Sequence, residues 1–259
     1  MFICSKSYTK ELQAALAGEI VAVSAYGELD STNTEAKRLA ARGVTDPAVV
    51  AAESQTAGRG RMGRSFFSPH GTGAYFSFLY TPHKPLADAV SVTSAASVAV
   101  MRAVRELTGL QCGIKWVNDL YLDGKKVCGI LCESVSVNDK PQIIVGIGIN
   151  LCTAKFPCEL SDKAGALGVA VDRCKLIAAV WRELCPFLHD PSDRAWLEDY
   201  RKHSCVLGKR VAWAQGDRRF EGVAEAISPD GGLCVRRADG VLETLRTGEI
   251  SLFVDGINL

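Results

Sequence analysis

A short loop carries the residues best suited to hold an anion. Residues 55–64 read QTAGRGRMGR and contain three glycines and three arginines, with no acidic side chain among them. Glycine lets the backbone approach a ligand closely, and the arginine guanidinium is a planar fork of donors that matches phosphate or carboxylate oxygens. The loop follows the apolar run VVAAES at 49–54, which is typical of a strand. The pattern therefore predicts an anion-binding loop at the end of a strand.

Other interpretations of this loop stay open on the residues alone. Residues 58–63 fit GxGxxG by letter, but the SFFSPHGTG that follows is not a helix pattern, and the loop lacks the lysine and Ser/Thr of a P-loop. A surface loop with solvated arginines has the same composition, and so does a basic patch for nucleic acid. The loop by itself indicates an anion without identifying it.

A second group of polar residues lies in the apolar run GIKWVNDLYLDGKKVCGILCE at 113–133. Burying an unpaired ammonium is costly, so a lysine such as Lys115 in a buried strand usually faces a cleft that holds an anion. A solvent-facing lysine on an edge strand is the alternative. Asp119 suits a metal ligand, a partner for a loop arginine or the start of a turn. Asn150, at the end of VGIGIN, suits a ligand contact or a turn.

The composition excludes several classes of function. The 259 residues are 47% hydrophobic and carry 30 Lys+Arg against 29 Asp+Glu, so the net charge of +1 provides no global field for nucleic acid or an anionic membrane. No apolar stretch reaches transmembrane length, and the N-terminus lacks a secretory signal pattern, so we expect a cytoplasmic protein. The ten cysteines follow no zinc spacing, and we expect most of them to be reduced and buried as small hydrophobes.

The periodicity of apolar residues predicts a mixed sheet flanked by helices. A first helix is expected from Asp30, with Thr32 and Glu35 forming a capping box. Asp123-Gly124 predicts one strand hairpin, and residues 138–140 predict the next. The remaining elements are helices at 87–107, 173–188 and 193–203, and strands at 49–54, 74–80, 113–122, 125–136 and 142–151.

The sequence pattern changes beyond Gly208 from helical periodicity to short alternating strands. Short alternating strands, KRVAWAQ, RFEGVAEAI, GLCVRR and VLETLRTGEISLFV, are separated by glycine turns. Strands of this length at about ten-residue spacing predict a small β-barrel module. We place the domain boundary between residues 203 and 208.

Five motifs, in this order, resemble those of the biotin protein ligases: DSTN at 30–33, QTAGRGR at 55–61, KWVND at 115–119, GIL at 129–131 and GIGIN at 146–150. The resemblance implies an α+β fold whose catalytic domain, residues 1–204, is a mixed sheet flanked by helices, similar to class II aminoacyl-tRNA synthetases. A small SH3-like β-barrel over residues 205–259 would follow it.

The resemblance also implies roles for individual residues. Biotin binding is implied for Ser31, Thr32, Asn33, Gln55, Arg59, Gly60, Arg61, Lys115 and Gly129. Nucleotide binding is implied for Arg61, Arg64, Phe66, Asn118 and Asn150. Lys115, Arg59 and Arg61 would be catalytic, because cations aimed at the reacting phosphate stabilise the charge that develops there. The metal ligands stay unassigned.

The implied activity is an ATP-dependent ligation in two steps. The biotin carboxylate attacks the α-phosphate of ATP, with Mg²⁺ as cofactor, to form biotinyl-5'-AMP. A lysine of a biotin carboxyl carrier protein, the acetyl-CoA carboxylase subunit, or of another biotin-dependent carboxylase then accepts the biotin. Because DSTN begins at residue 30, we expect the form without an N-terminal DNA-binding domain, and therefore no nucleic-acid partner. No membrane partner is expected, and the family suggests a homodimer.

The alternatives to this activity involve either another substrate or another class of protein. A lipoate or octanoate ligase or transferase of the same fold would need an apolar tunnel, whereas the polar residues at the start of the first helix suit a urea. An octanoyl transferase also needs a nucleophilic cysteine, for which Cys152 or Cys158 is in the right region. A non-catalytic biotin or nucleotide sensor and a basic RNA-binding module are the alternatives from another class, and the near-zero net charge weighs against the RNA-binding module.

Overall fold

The computed structural model describes residues 3–44, 47–82, 89–137, 139–254 and 257–258. Residues 87, 88 and 138, to which a predicted helix and hairpin extended, lie outside the described residues. The helices are α1 (Lys6–Ala15), α2 (Thr32–Ala41), α3 (Ala89–Thr108), α4 (Arg173–His189) and α5 (Ala195–Lys202). The strands are β1 (Ala22–Leu29), β2 (Ala48–Gln55), β3 (Gly73–Tyr80), β4 (Gly113–Lys115), β5 (Asp119–Leu122), β6 (Lys125–Val137), β7 (Lys140–Asn150), β8 (Arg210–Gln215), β9 (Arg218–Ile227), β10 (Leu233–Arg237), β11 (Leu242–Leu245), β12 (Ile250–Val254) and β13 (Ile257–Asn258).

The first seven strands form one mixed sheet in the order β1-β2-β3-β7-β6-β5-β4. β1 and β2 are parallel, and the other neighbours are antiparallel. Alternate side chains of β2 enter two separate apolar clusters: Val49 and Ala51 join α3 and α4, whereas Val50 and Ala52 join α2. Both faces of the sheet are therefore covered, and the predicted mixed sheet flanked by helices is confirmed.

Two elements near the N-terminus were not predicted, and the start of α2 differs from the prediction. Helix α1 and strand β1 precede the first motif. Ser31, not Thr32, is the N-cap of α2, and no side-chain bond caps the helix. The capping box fails because the Thr32 hydroxyl instead contacts Gln55, while Glu35 accepts from Tyr26.

The KWVND segment is a hairpin and not the single strand predicted over 113–122. β4 and β5 are antiparallel and pair Lys115 with Asp119. The turn between them is pressed into the core: Trp116 and Val117 are each 3% exposed, and the Val117 carbonyl accepts from the Tyr200 hydroxyl. Anchoring of the turn by apolar burial explains why the run cannot continue as one strand.

The C-terminal strands form an antiparallel sheet in the order β11-β10-β9-β8-β12-β13. The predicted all-β module is confirmed, but this sheet does not close into a barrel over the described residues. The segment VLETLRTGEISLFV is two strands, because β11 pairs with β10 and β12 pairs with β8 on the far side of the sheet. The chain therefore crosses the module between β11 and β12.

Three donors from the first part of the chain hold the β9–β10 turn of the C-terminal sheet. The Trp116 indole donates to the Gly231 carbonyl at 2.9 Å. Arg201 donates twice to the Ile227 carbonyl, and Arg194 donates to the Pro229 carbonyl at 3.0 Å. The KWVND hairpin and the last helix thus form the surface on which the C-terminal sheet is docked.

The cysteines are less buried than expected. Of the ten free cysteines, only Cys112, Cys128 and Cys174 are buried. Burial raises the pKa of Cys112 and of Cys174 to about 11, so these thiols stay protonated. The other seven lie at partly or fully exposed positions. Among the described residues, no helix combines the length and apolar character needed to cross a bilayer.

Candidate active site

A cavity that is partly open to solvent lies where β2 runs into the arginine and glycine loop. Its wall is built from the start of α2, the loop, the KWVND turn, the middle of β6 and β7, and one residue that precedes β12. The lining residues are Ser31, Thr32, Asn33, Gln55, Arg59, Gly60, Arg61, Arg64, Ser65, Phe66, Asn118, Asp119, Lys126, Gly129, Ile130, Leu131, Gly146, Ile147, Gly148 and Glu249.

One end of the cavity is a connected set of neutral polar groups. Gln55 accepts from the Thr32 backbone N–H at 2.8 Å and donates to Ser68 at 2.8 Å. The Ser77 hydroxyl lies 2.8 Å from the Thr32 hydroxyl and 2.6 Å from Asn33 Oδ1. Because each side chain is held by another, donors and acceptors are preorganised for a neutral polar ligand.

Glycines let side chains from other elements enter the cavity. A Cβ added at Gly146 would lie 1.9 Å from Asn33 Oδ1, and one added at Gly148 would lie 2.5 Å from the Phe66 ring. The Phe66 ring also lies 3.2 Å from the Cβ position of Gly129. The GIGIN and GIL motifs therefore provide the space in which Asn33 and Phe66 sit.

The arginine loop folds back on itself. Arg59 and Ser65 form a bridge, and the Gly60 N–H donates to the Arg64 carbonyl at 2.7 Å. Gly58 needs to be glycine, because a Cβ there would lie 2.4 Å from the Phe66 carbonyl oxygen. This tight return places all three loop arginines in the wall of one cavity.

Each cation in the wall has a partner of its own. Arg59 pairs with Glu133 at 3.1 Å, and Lys126 pairs with Asp119 at 2.7 Å. Arg61 donates to Asn118 at 3.0 Å, and Arg64 pairs with Glu249. The four contacts are, in order along the chain, Arg59–Glu133, Arg61–Asn118, Arg64–Glu249 and Lys126–Asp119. The cationic surface that a phosphate would meet is therefore partly neutralised by groups of the protein itself.

Glu133 joins the two ends of the site. Its carboxylate accepts from Asn33 at 2.9 Å, from Lys37 at 2.7 Å and from Arg59. Burial alone would raise the pKa of Glu133, but the hydrogen bonds from Lys37 and Asn33 lower it, so the group is a carboxylate at neutral pH. One charged group thus positions both the polar end and the arginine loop.

Most predicted site residues meet at this cavity, with two exceptions. Lys115 is not among the lining residues: the hairpin turns it onto Tyr121, with Nζ 3.4 Å from the hydroxyl, and burial lowers its pKa. Asn150 is not among them either, because it is 4% exposed and donates to the Gly165 carbonyl at 2.9 Å.

Three charged residues of the site were missed. Lys126 was passed over as one of two adjacent lysines after a turn, and alternation along β6 would place it on the face opposite Gly129; the register shift at Leu120/Tyr121 brings it to the cavity. Glu133, at the end of GILCE, stands in an apolar strand and could have been questioned as Lys115 was. Glu249 lies in the C-terminal segment, and no local pattern connects it to the loop.

Two family models and several proteins of known family match the sequence of this chain. A family model described as "Biotin/lipoate A/B protein ligase family" matches residues 26–150, and one described as "Biotin protein ligase C terminal domain" matches residues 206–252. The bifunctional ligase/repressor BirA of Bacillus subtilis (strain 168) is 32% identical over 227 residues, which cover 82% of this chain and 69% of that protein. The biotin--[acetyl-CoA-carboxylase] ligase of Paracoccus denitrificans is 34% identical over 232 residues, which cover 82% of this chain and 92% of that protein.

The fold agrees with these matches. The biotin protein ligase from Aquifex aeolicus in complex with biotin and ATP superposes with a TM-score of 0.76 at 30% identity, over 90% of this chain and 98% of that one. The matched motifs, the cavity and the C-terminal sheet therefore agree, and the chain belongs to the biotin protein ligases of the biotin/lipoate A/B protein ligase family.

Proposed function

We propose that this chain is an ATP-dependent biotin protein ligase, which forms biotinyl-5'-AMP and transfers the biotin to a lysine of a carrier protein. One observation carries the proposal: a neutral hydrogen-bonding end and a four-cation end share the wall of a single cavity. A neutral ring with a carboxylate tail fits the first end and part of the second, and the phosphates of a nucleotide fit the rest. The complex of biotin and ATP with the Aquifex aeolicus ligase supports this assignment.

The polar end is proposed to bind the ring of biotin. Thr32, Asn33 and Gln55 offer fixed donors and acceptors, and Ser31 and Gly129 also line the cavity. An apolar acyl tail would gain no hydrogen bond from these fixed donors and acceptors, and a tail of this kind binds better in an apolar tunnel. A lipoate or octanoate ligase is for this reason not favoured.

The cationic end is proposed to bind the biotin carboxylate and the nucleotide. Arg59, Gly60 and Arg61 take the carboxylate and the α-phosphate, and Arg64 and Asn118 take the other phosphates. Phe66, held over Gly148, offers its ring face to adenine. The list of proposed ligands is completed by Asn150, as a more distant nucleotide contact.

Lys115, Arg59 and Arg61 are proposed as catalytic residues, and Lys126 is proposed to join them. The Lys126 ammonium lies in the cavity wall beside Asp119. Strand pairing places Lys115 opposite Asp119, and Lys126 opposite Tyr121, so both lysines lie on the face of the sheet that carries Asp119. Lys115 is also proposed to contact the biotin carboxylate.

In the first step, an oxygen of the biotin carboxylate bonds to the α-phosphorus, and the bond from that phosphorus to the bridging oxygen of pyrophosphate breaks. Both reactants are anions, so Arg59, Arg61, Lys115 and Lys126 are proposed to lower the barrier by stabilising charge on the phosphate oxygens. In the second step, the neutral amine of the carrier lysine bonds to the acyl carbon, loses a proton, and AMP leaves. No covalent link to the enzyme forms, so no cysteine is required.

Mg²⁺ is proposed to arrive on the triphosphate. Over the described residues, no three His, Cys, Asp or Glu side chains cluster in a way that could hold a metal ion. Mg²⁺ commonly keeps several waters and is held by substrate phosphates and one or two carboxylates. Asp119 is a carboxylate of that kind in the wall, and bound Mg²⁺ would offset the charge of the triphosphate.

We further propose a division into residues 1–204 and 205–259, since α5 ends at Lys202 and β8 begins at Arg210. Biotin protein ligases act on the biotin carboxyl carrier proteins of biotin-dependent carboxylases. The acetyl-CoA carboxylase subunit as the particular carrier, a homodimer, a cytoplasmic location and the lack of a nucleic-acid partner are proposals.

The test is biotin-dependent exchange of labelled pyrophosphate into ATP, followed by transfer of labelled biotin to a purified carrier domain. Exchange is expected with biotin and not with lipoate at the same concentration. Exchange with lipoate but not with biotin would refute the proposed function. The absence of exchange with both acids would refute it as well.

A further inference from the structure

One carboxylate in the wall of the cavity comes from the C-terminal segment. Glu249 precedes β12, is 31% exposed at its side chain, and forms an ion pair with Arg64, the last arginine of the loop. Both side chains line the cavity. A negative charge in a wall that is proposed to receive phosphates opposes that binding, because like charges repel. Its presence there calls for a physical reason.

Glu249 lies between β11 and β12, directly before Ile250, which pairs with Trp213 in the docked C-terminal sheet. The β9–β10 turn is held by Trp116, Arg194 and Arg201, as described above. A Cβ at Gly231 in that turn would lie 2.9 Å from the Ser94 hydroxyl on α3, so the two parts of the chain are in close contact. The carboxylate is therefore presented to Arg64 by packed structure.

The charge of Glu249 reaches other groups on this side of the cavity. Burial lowers the pKa of Lys115, and the negative charges of Asp119 and Glu249 oppose part of this shift. The pKa of Tyr121 is raised by burial and then by Asp119, with Glu249 adding to it. Glu249 thus contributes to the field where the loop, the hairpin and the C-terminal sheet meet.

The two products of the first step differ greatly in charge. Pyrophosphate has to leave, whereas the acyl adenylate has to stay until the carrier lysine arrives. Pyrophosphate carries several negative charges, and the adenylate carries one on its single phosphate. A fixed carboxylate that shares Arg64 with the ligand therefore opposes the binding of pyrophosphate more than that of the adenylate.

We propose that Glu249 determines the selectivity of the site between these two products by competing with pyrophosphate for Arg64. The inference rests on the proposed function. Its consequence is that the reverse step, in which a pyrophosphate oxygen attacks the α-phosphorus and expels the biotin carboxylate, is disfavoured. The C-terminal sheet thereby contributes to the active site without supplying a cation.

The experiment compares Glu249→Gln with the wild type, because glutamine keeps the length and the hydrogen bond but removes the charge. Pyrophosphate binding is measured by calorimetry, which needs no turnover, and by inhibition of adenylate formation. The variant is expected to bind pyrophosphate about five-fold more tightly, the equivalent of about 1 kcal/mol for one unit charge at contact distance in water. Binding of a non-hydrolysable biotinyl-adenylate analogue is expected to change by less than about two-fold.

The matched control is Glu225→Gln in the same sheet. Glu225 pairs with Arg236 on the surface and is not among the residues that line the cavity. Unchanged pyrophosphate affinity in Glu249→Gln would refute the inference, and so would weaker affinity, which would mean that Glu249 positions Arg64. An equal gain in both variants would indicate a general charge effect and would refute it too. Failure of biotin-dependent exchange in the wild type would count against the proposed function instead, since the binding experiment does not depend on turnover.

Discussion

Replacing Gly146 with alanine tests the assignment of the polar end most directly. The added methyl would lie 1.9 Å from Asn33 Oδ1, well inside any permitted contact, so Asn33 has to move. Asn33 is 3% exposed and bonds to Ser77 at 2.6 Å, to Glu133 at 2.9 Å and to the Leu131 carbonyl at 3.2 Å. The substitution therefore acts on one side chain through a known set of bonds.

The magnitude follows from those bonds. Three hydrogen bonds at about 0.5–1.5 kcal/mol each amount to about 1.5–4.5 kcal/mol of folding stability, which is lost in part if Asn33 leaves its place. A polar group of biotin that is left without Asn33 as its partner costs about 1–3 kcal/mol, which is a loss of biotin affinity between about five-fold and 150-fold. The affinity for ATP should fall much less, because the arginine loop and Phe66 do not contact Gly146.

Calorimetric titration with biotin and then with ATP measures the two effects separately. Gly27→Ala is the control, because Gly27 lies in a strand of the same sheet and no atom lies within 4 Å of a Cβ built there. Thermal melts of both variants identify any general loss of folding. Biotin affinity within about three-fold of the wild type in folded Gly146→Ala, or an equal loss for ATP, would refute the reasoning.

Three further outcomes are expected. Lys115→Ala and Lys126→Ala should each slow biotin-dependent pyrophosphate exchange by about 100-fold or more, and a loss under about ten-fold in either folded variant would contradict the role of that lysine. Phe66→Ala should weaken ATP binding by about ten-fold, since ring stacking on a base contributes about 1–3 kcal/mol, with biotin binding unchanged in the same titration. The hydrogen bond from Arg102 lowers the pKa of Asp199, so its stabilisation is present above the unfolded pKa of about 4 and is lost as the pH falls through the lower folded pKa. Asp199→Asn should accordingly melt below the wild type at pH 7 and approach it near about pH 3, and a constant difference would contradict this assignment.

The site was predictable wherever local chemistry and motif order agreed. The loop arginines, Gln55 and the start of α2 all lie at the cavity, because strand ends and helix starts bring neighbouring residues to one place. The reversal between β4 and β5 was missed, because a buried lysine in an apolar run does not reveal that the run reverses. The place of Glu249 in the site could not be predicted from the sequence, because its contact with Arg64 joins residues far apart in the chain.

The fold was predictable in its elements more than in their connections. Apolar periodicity located α4 and the antiparallel hairpin at Asp123-Gly124 closely. The prediction did not separate β11 from β12, although the residues between them, RTGE at 246–249, are polar, and the pairing with β10 and β8 divides the two strands. Pairing is a long-range property, so local pattern does not contain it.

The hydrogen bond from Trp116 to Gly231 connects two tasks within one turn. The indole that seats the C-terminal sheet stands two residues before Asn118, which holds a loop arginine. Loosening the sheet would leave a buried indole donor unpaired and would release the turn that forms part of the cavity wall. Cooperative unfolding units are defined by shared burial and bonding, so the hairpin and the C-terminal sheet should open together. The domain boundary in the sequence is therefore not a boundary between two units that unfold separately.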